Sequence, residues 1–325
     1  MNNKINILYT CDNAYLPLTS ISMASVIANN PESLITFYVA TEDKNSDDFK
    51  KLQDFYKDNK KIEIVYHDAK KYDDLLTKKG LDRWGSSSYY VYWKLFAYDE
   101  LKVDRIWYLD SDVICLRQID NPPLEKAVGA CLDSAHACFN KYAHIPENYY
   151  FFNTGSLYVD VKKWKKESCT KKICSYIENM KYMPLMCDQD ILALALQEDI
   201  EVLPPEYDYL VGYDYYGVQN SFKMYSLNKK PFYSEEEVEK GRDKTVFYHC
   251  LGGVFGRPWE EDNESPIRNE FEKYRALACW SDFHKERNMS ALFRIEKMLE
   301  ILPKSIYNQI HNLAMRKYVE RMAKK

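Results

Sequence analysis

The sequence is poor in residues that interrupt structure. Ten glycines and 12 prolines in 325 residues leave little room for low-complexity linkers, and no internal repeat is visible. No stretch approaches the run of about 18 apolar residues that a membrane span needs. The opening Met1-Asn2-Asn3-Lys4-Ile5-Asn6 lacks the apolar core of a secretory signal. No Gly-x-Gly-x-x-Gly follows the first strand-like segment, which disfavours a dinucleotide cradle. Nine cysteines are scattered without one Cys-x-x-Cys. Several, such as Cys115 and Cys131, sit inside apolar strand-like runs, the pattern of reduced core thiols in a cytoplasmic protein rather than of disulfides or a zinc site.

What is present suits a compact soluble enzyme of one large domain with an appendage: 46% of residues are hydrophobic and 29% charged. Twenty-eight tyrosines is a high number. Tyrosine packs on sugar rings and bases while keeping a hydroxyl for hydrogen bonds, although most will be half-buried core. Charge is unevenly placed. Residues 285–325 carry ten Lys/Arg against four Asp/Glu, net +6, which leaves 35 against 45, net −10, in the rest. An acidic body with a basic tail argues against general nucleic-acid binding.

Residues 5–9 read as a buried strand. Pro17 opens a helix running to about Asn29, with Pro31 beyond its stop. Residues 34–40 form a second apolar strand, and Ser46 caps a helix in which Phe49, Leu52 and Phe55 or Tyr56 recur at helical spacing. Residues 61–66 alternate into a third strand, and a helix over about 89–101 leads to a strand ending at Asp110. Further strands are expected at 127–132, 156–159, 201–203 and 245–250, and helices at about 170–180 and 189–197. Beyond Trp259 helical patterns dominate. Strand–helix–strand alternation implies a mainly parallel, doubly wound sheet flanked by helices. The expected division is residues 1–260 for a catalytic domain and 261–325 for a helical extension.

Chemistry concentrates in a few constellations. Arg105-Ile-Trp-Tyr-Leu-Asp-Ser-Asp-Val-Ile114 is a β-favouring run that ends in Asp110 and Asp112. On an extended segment such i, i+2 carboxylates point the same way and can share one hard cation with ligand phosphates. Strand C-termini are also where open α/β sheets bind ligands. Asp12 and Asn13 follow the first strand and suit either turn capping or, with Tyr15, a grip on a base. Asn153 and Gly155 precede a strand, where the amide is a turn former or a donor to sugar hydroxyls. Asp188-Gln189-Asp190 stands at a helix start and is richer than a cap requires. His249 at a strand end, Gly252 and Gly253 allowing close backbone approach, and Arg257 together suggest an anion site.

In this order the pieces resemble the retaining, family 8 glycosyltransferases of the GT-A fold, the group that holds bacterial lipooligosaccharide galactosyltransferases and glycogenin. The resemblance runs from about Ile5 to Trp259. It rests on residues 9–15, 92–95 and 109–113, Asn153-x-Gly155, Asp188-Gln189-Asp190 and His249-x-x-Gly252 with Pro258-Trp259. It implies a UDP-glucose or UDP-galactose donor, a glycan or glycolipid acceptor, and Mn²⁺ (or Mg²⁺) held by Asp110, Asp112 and His249. It further implies that Asp12 and Tyr15 contact uracil, that Lys94 stands where the family usually has Arg near the nucleotide, and that Arg257 replaces a diphosphate-binding Lys. Asp133, Asn153, Gly155, Asp188 and Gln189 match positions lining the donor sugar, with Gln189 where the candidate nucleophile lies. Two departures stand out. Ala14 occupies a place where some members have Asn, and three residues between Gly253 and Arg257 lengthen the usual spacing after the histidine.

The expectation is therefore a Mn²⁺-dependent, retaining hexosyltransferase. The rivals are a UDP-sugar-binding or lectin-like module without turnover, and phosphoryl transfer of the haloacid-dehalogenase type, which wants Thr where Ile114 stands. In the tail, Ile306, Ile310, Leu313, Ala314, Tyr318 and Met322 recur at helical steps beside Arg316, Lys317, Arg321, Lys324 and Lys325. That suits a terminal helix packed on the body, or peripheral attachment of a cytoplasmic protein to anionic lipid at the inner membrane face.

Overall fold

The computed structural model describes residues 3–81, 88–134, 142–287 and 291–322. The strands are β1 (Lys4–Thr10), β2 (Leu34–Ala40), β3 (Ile62–Tyr66), β4 (Arg105–Leu109), β5 (Val113–Cys115), β6 (Val128–Leu132), β7 (Phe152–Asp160), β8 (Ile200–Val202), β9 (Tyr209–Leu210) and β10 (Phe247–His249), and all but β5 and β9 arise from apolar runs read in the sequence. Seven of them form one sheet in the order β3-β2-β1-β4-β7-β6-β8. All run parallel except β7, which pairs antiparallel with β4 and β6. The expected mainly parallel sheet is thus observed. A second sheet, β5-β10-β9, pairs β10 antiparallel with β5 and parallel with β9. The sequence reading contained no such sheet, because strands of two and three residues carry too little periodicity to show.

The helices are α1 (Leu16–Asn29), α2 (Asp47–Tyr56), α3 (Asp73–Lys78), α4 (Ser88–Trp93), α5 (Val161–Lys166), α6 (Cys169–Asn179), α7 (Asp188–Leu196), α8 (Val211–Tyr216), α9 (Val218–Tyr225), α10 (Glu235–Lys244), α11 (Arg268–Arg275), α12 (Ala291–Leu299) and α13 (Lys304–Met322). Alternating side chains of the strands feed two cores. Leu8, Ile106, Tyr108 and Leu157 face α6 and α7, whereas Ile7, Tyr9, Trp107 and Tyr158 face α1 and α2. A third core joins α8 to α11 to the small sheet. Helix α1 lies between the large sheet and the small one and is buried along most of its length, as an all-round apolar helix must be.

Two boundaries differ from expectation. The helix expected over residues 89–101 ends at Trp93 and continues as tight turns, with Leu95 N–H on Tyr92 O at 2.9 Å and Phe96 N–H on Trp93 O at 3.0 Å. Leu95, Phe96, Ala97 and Tyr98 are all buried, so this segment has no wet face for a helix to present. Strand β7 starts at Phe152, so Asn153 and Gly155 lie within the strand rather than ahead of it. Beyond Trp259 the regular elements among the described residues are the helices α11, α12 and α13, as expected, together with an isolated bridge between Glu260 and Lys285. Lys324 and Lys325 lie outside the described residues, and the side chains of Tyr318 and Met322 do as well.

Trp107 fixes the face of the sheet beneath α1. It stacks on Tyr158 at 4.5 Å and Tyr207 at 5.4 Å, and its Nε1 donates to Asn121 Oδ1 at 2.8 Å. Trp107→Ala should cost about 3–5 kcal/mol in urea unfolding. Phe55→Ala, at an exposed position, should stay within about 0.5 kcal/mol. Equal losses would deny Trp107 this role.

Candidate active site

Asp110 and Asp112 leave the large sheet just past the end of β4, in a turn closed by Val113 N–H on Asp110 O at 3.1 Å. Their convergence is therefore not that of an extended i, i+2 pair. The turn aims one carboxylate at each of two cationic neighbours. Asp110 accepts the Lys94 ammonium at 2.8 Å and the Tyr108 hydroxyl. Asp112 faces His249 Nε2 at 3.3 Å and Arg257 Nη1 at 2.9 Å.

Helix α1 fixes the turn from behind. Thr19 Oγ1 and Ser111 Oγ are 2.8 Å apart, Ser22 donates to Val113 O, and Cys115 N–H donates to Ser25 Oγ at 2.8 Å. Hydroxyls three residues apart on the helix thus meet residues two apart on the chain. The sequence reading missed Thr19, Ser22 and Ser25, whose small side chains look like ordinary helix filler.

Lys94 is 3% exposed; its ammonium donates to Asp110 Oδ1 at 2.8 Å and to Thr154 O at 3.2 Å, and it forms an ion pair with Asp188 Oδ2 at 3.2 Å. Burial alone would lower its pKa, but Asp110 and Asp188 raise it, so the lysine stays charged. Asp188 does not cap α7. Asp190 instead accepts the N–H groups of Leu185 and Met186 in the preceding turn.

Asp208, absent from the sequence reading, holds His249 Nδ1 at 3.1 Å and is itself 2% exposed. Burial works against charge on His249, yet Asp208 and Asp112 hold its imidazole well above the ordinary value. Burial would raise Asp112, but His249 and Arg257 pull it down to about 2. Asp208 precedes β9, which carries no motif, and only the fold places it beside His249.

A second cluster adjoins the first. Asp133 Oδ2 accepts Asn153 Nδ2 at 2.8 Å and Gln189 Nε2 at 3.1 Å, and Gln189 Nε2 also donates to Phe152 O at 2.8 Å. Two acceptors on one amide nitrogen fix the carboxamide, so its oxygen points away from Asp133. Gly155 links the clusters. Its N–H donates to Asn153 Oδ1 at 2.8 Å, its carbonyl accepts Asp110 N–H at 2.7 Å, and a Cβ there would lie 2.2 Å from His249 Cε1. This glycine makes room for the histidine. Gly252 does the same for Arg257, whose Nε would be 3.0 Å from a Cβ.

Asp12 and Tyr15 lie at the end of β1, where Asp12 Oδ1 caps Tyr15 N–H at 2.9 Å. Lys285 stands 4.6 Å above the Tyr15 ring. It returns from the segment beyond Trp259, and nothing in its local sequence announces it.

Asp110, Asp112 and His249 offer one ligand atom each, all within 4.8 Å of one another. Two carboxylate oxygens with an imidazole nitrogen, the other ring nitrogen held by Asp208, is a fitting donor set for Mn²⁺ or Mg²⁺. The described arrangement can hold a divalent cation between a buried lysine and a half-exposed arginine, as a diphosphate requires.

Comparison with known proteins agrees with this chemistry. The sequence profile of glycosyl transferase family 8 matches residues 6–262. A lipopolysaccharide 1,2-glucosyltransferase of Escherichia coli is 24% identical over 89% of this chain and 86% of that enzyme. A second, from Escherichia coli strain K12, is 28% identical over 79% of this chain and 73% of its own. Among solved structures, the galactosyltransferase LgtC in complex with donor and acceptor sugar analogs superposes with a TM-score of 0.62 at 17% identity, covering 89% of this chain and 99% of LgtC.

Gly155→Ala should displace His249 and weaken Mn²⁺ binding, measured by calorimetry, about 10- to 100-fold, the range for disturbing the support of a metal ligand. Asp208→Asn should fall in the same range. Affinities within twofold of the parent protein would show that neither residue seats His249.

Proposed function

The chain belongs to glycosyl transferase family 8 and is a retaining hexosyltransferase; from that premise we propose that it moves glucose or galactose from UDP to a hydroxyl of a glycan or glycolipid acceptor. The observation that carries the donor reading is the meeting of Asp110, Asp112 and His249 between Lys94 and Arg257. A divalent cation held by those three residues, Mn²⁺ in this reading, would supply charge stabilisation to the departing diphosphate.

The chain's own groups do the rest. Arg257 is half-buried, its guanidinium 5.1 Å from the Trp259 ring and paired with Asp112, and it is placed to trade that carboxylate for a phosphate oxygen. Lys94 keeps a buried positive charge beside Asp110 and positions Asp188. Asp12 and Tyr15 take the uracil. Asp133, Asn153 and Gln189 line the sugar, with the Gln189 oxygen turned toward it. An amide oxygen is a poor nucleophile, so attack proceeds on the face UDP leaves, with a donor phosphate oxygen accepting the acceptor's proton. We assign residues 1–260 to this chemistry and 261–325 to a helical extension that buttresses it.

A membrane role for that extension has one specific observation behind it. No described helix is long and apolar enough to cross a membrane. Helix α12, however, is turned inside out. Glu296 accepts Tyr307 and His311, and Lys297 pairs with Glu264 and Glu300, while Ile295, Met298 and Ile301 stand 55%, 75% and 89% exposed. Exposed apolar side chains next to the basic Lys304, Arg316 and Lys317 suit peripheral contact of a cytoplasmic protein with anionic lipid.

Chelation should abolish Mn²⁺-dependent release of UDP from UDP-glucose or UDP-galactose, an assay that needs no acceptor. Asp112→Asn should lower the rate about 10²–10³-fold. An unchanged rate in chelator, or hydrolysis of neither sugar nucleotide, would refute the donor reading. For the membrane reading, full-length protein should sediment with phosphatidylglycerol vesicles at low salt. Each basic side chain near the surface contributes about 1 kcal/mol, and Met298→Glu with Ile301→Glu should abolish binding. Equal sedimentation of the double variant, or none by the parent protein, would sink the idea.

A further inference from the structure

Helix α13 does not simply lie on the body. Between it, the junction of α8 with α9, and α10 there is an open cleft of about 570 Å³ that shares no residue with the candidate active site. Its walls are unusual in their chemistry. Gln219 and Asn220 from α9 face Asn308, Gln309 and Asn312 from α13, and Tyr216 also lines the cleft. The charged rim residues are of both signs, Lys223 and Lys304 against Glu239, so the cleft has no strong preference for an anion or a cation.

A carboxamide carries two N–H donors and a two-lone-pair acceptor side by side. Vicinal sugar hydroxyls each donate and accept at that spacing, and neither partner has a charge to desolvate. A tyrosine ring offers an apolar surface to the C–H face of a pyranose. The site also holds an unspent group. Asn308 is 9% exposed and donates from Nδ2 to Asn220 Oδ1 at 3.0 Å, while its own Oδ1 has no partner among the described residues. A buried acceptor left in this state costs free energy until something donates to it. The hydrogen bond to Asn220 also joins the two walls, so the cleft is preformed.

We propose that this cleft is a second carbohydrate subsite, one that takes a neutral hexose oligosaccharide apart from the donor. Resting on the transferase reading, it would hold a distal part of a growing acceptor chain while the reacting end lies at the catalytic centre. Tethering of that kind raises the effective concentration of the acceptor hydroxyl. It makes the tail helix part of substrate capture.

The test uses the full-length protein with UDP and Mn²⁺ saturating the donor site. The probes are maltohexaose and a linear galactohexaose, and binding is followed by saturation-transfer NMR and calorimetry. At least one probe should bind, and Gln309→Ala with Asn312→Ala should weaken it about tenfold, as expected for losing two hydrogen-bonding amides. Both positions are on the accessible side of α13, and an unchanged melting temperature confirms that the variant folds. Hydrolysis of UDP-hexose, read on the same samples, should not change. If neither probe binds, or the variant binds within twofold of the parent, the subsite does not exist. Hydrolysis without oligosaccharide binding removes the subsite and leaves the transferase reading intact. Oligosaccharide binding without hydrolysis removes the UDP-hexose donor reading and leaves the cleft as a carbohydrate-binding site.

Discussion

The structure is organised around charge compensation at the C-terminal edge of the large sheet. Asp110, Asp112, Asp188 and Asp208 are gathered there with little water, and burying an ion costs several kcal/mol even after relaxation. Lys94 reaches them from one part of the chain, and His249 and Arg257 from another, β10 and the loop that follows it. No single cation is spare. Lys94 serves two carboxylates, His249 serves two, and Arg257 completes the second side of Asp112. Removing one group exposes the uncompensated charge of the next, so the cluster is held as a unit.

That unit sits at the seam of two sheets. Asp110 belongs to the large sheet, with Lys94 anchored beside it on Thr154 of β7. Asp112, Asp208 and His249 belong to the small sheet: Asp112 leads into β5, Asp208 precedes β9, and His249 ends β10, opposite Val113 on one side and Leu210 on the other. The pairing register of a three-stranded sheet therefore sets the distances between His249, the Asp208 carboxylate on its Nδ1 and the Asp112 carboxylate facing its Nε2. Helix α1 joins the seam, with hydroxyls on β5 and apolar side chains in both cores.

How much of this was legible follows from the range of the signals. The strands of the large sheet were readable because their apolar runs are long, and β2 has the bounds its sequence suggests. Asp110, Asp112, His249 and Asp188 were readable as acids and an imidazole at strand ends and a helix start. Their partners were not. Asp208 lies before a two-residue strand, Ser22 and Ser25 look like helix filler, and Gly155 read as a residue ahead of a strand, whereas it lies within β7 and leaves space for a ring from a strand about a hundred residues later. Local patterns report the residue that carries chemistry; they do not report the residue whose smallness or hydrogen bond holds it in place. The Asp-x-Asp pair shows the same limit. Its role was read from an extended geometry, whereas the structure uses a turn to send the carboxylates to different cations.

The segment beyond Trp259 completes the argument, because composition marks it as an appendage while its contacts make it part of the site. Lys285 covers one face of Tyr15, and its N–H and carbonyl are paired with Trp259 O and Glu261 N–H at 2.8 and 3.0 Å. Arg287 donates to Val254 O and Asp262 O, and its Nε lies 3.0 Å from where a Cβ on Gly256 would stand. The glycine-containing loop that carries Arg257 is thus braced from behind by the Arg287 guanidinium, which holds backbone carbonyls on either side of it. A loop of this composition would otherwise be a mobile element beside the Asp112 carboxylate. With its backbone held by Arg287 and by Glu260, which accepts Arg257 N–H at 2.9 Å, the freedom left at this point is that of the Arg257 side chain, paired with Asp112. The helical extension thus acts on the site through the loop backbone, fixing the point from which the Arg257 guanidinium reaches Asp112.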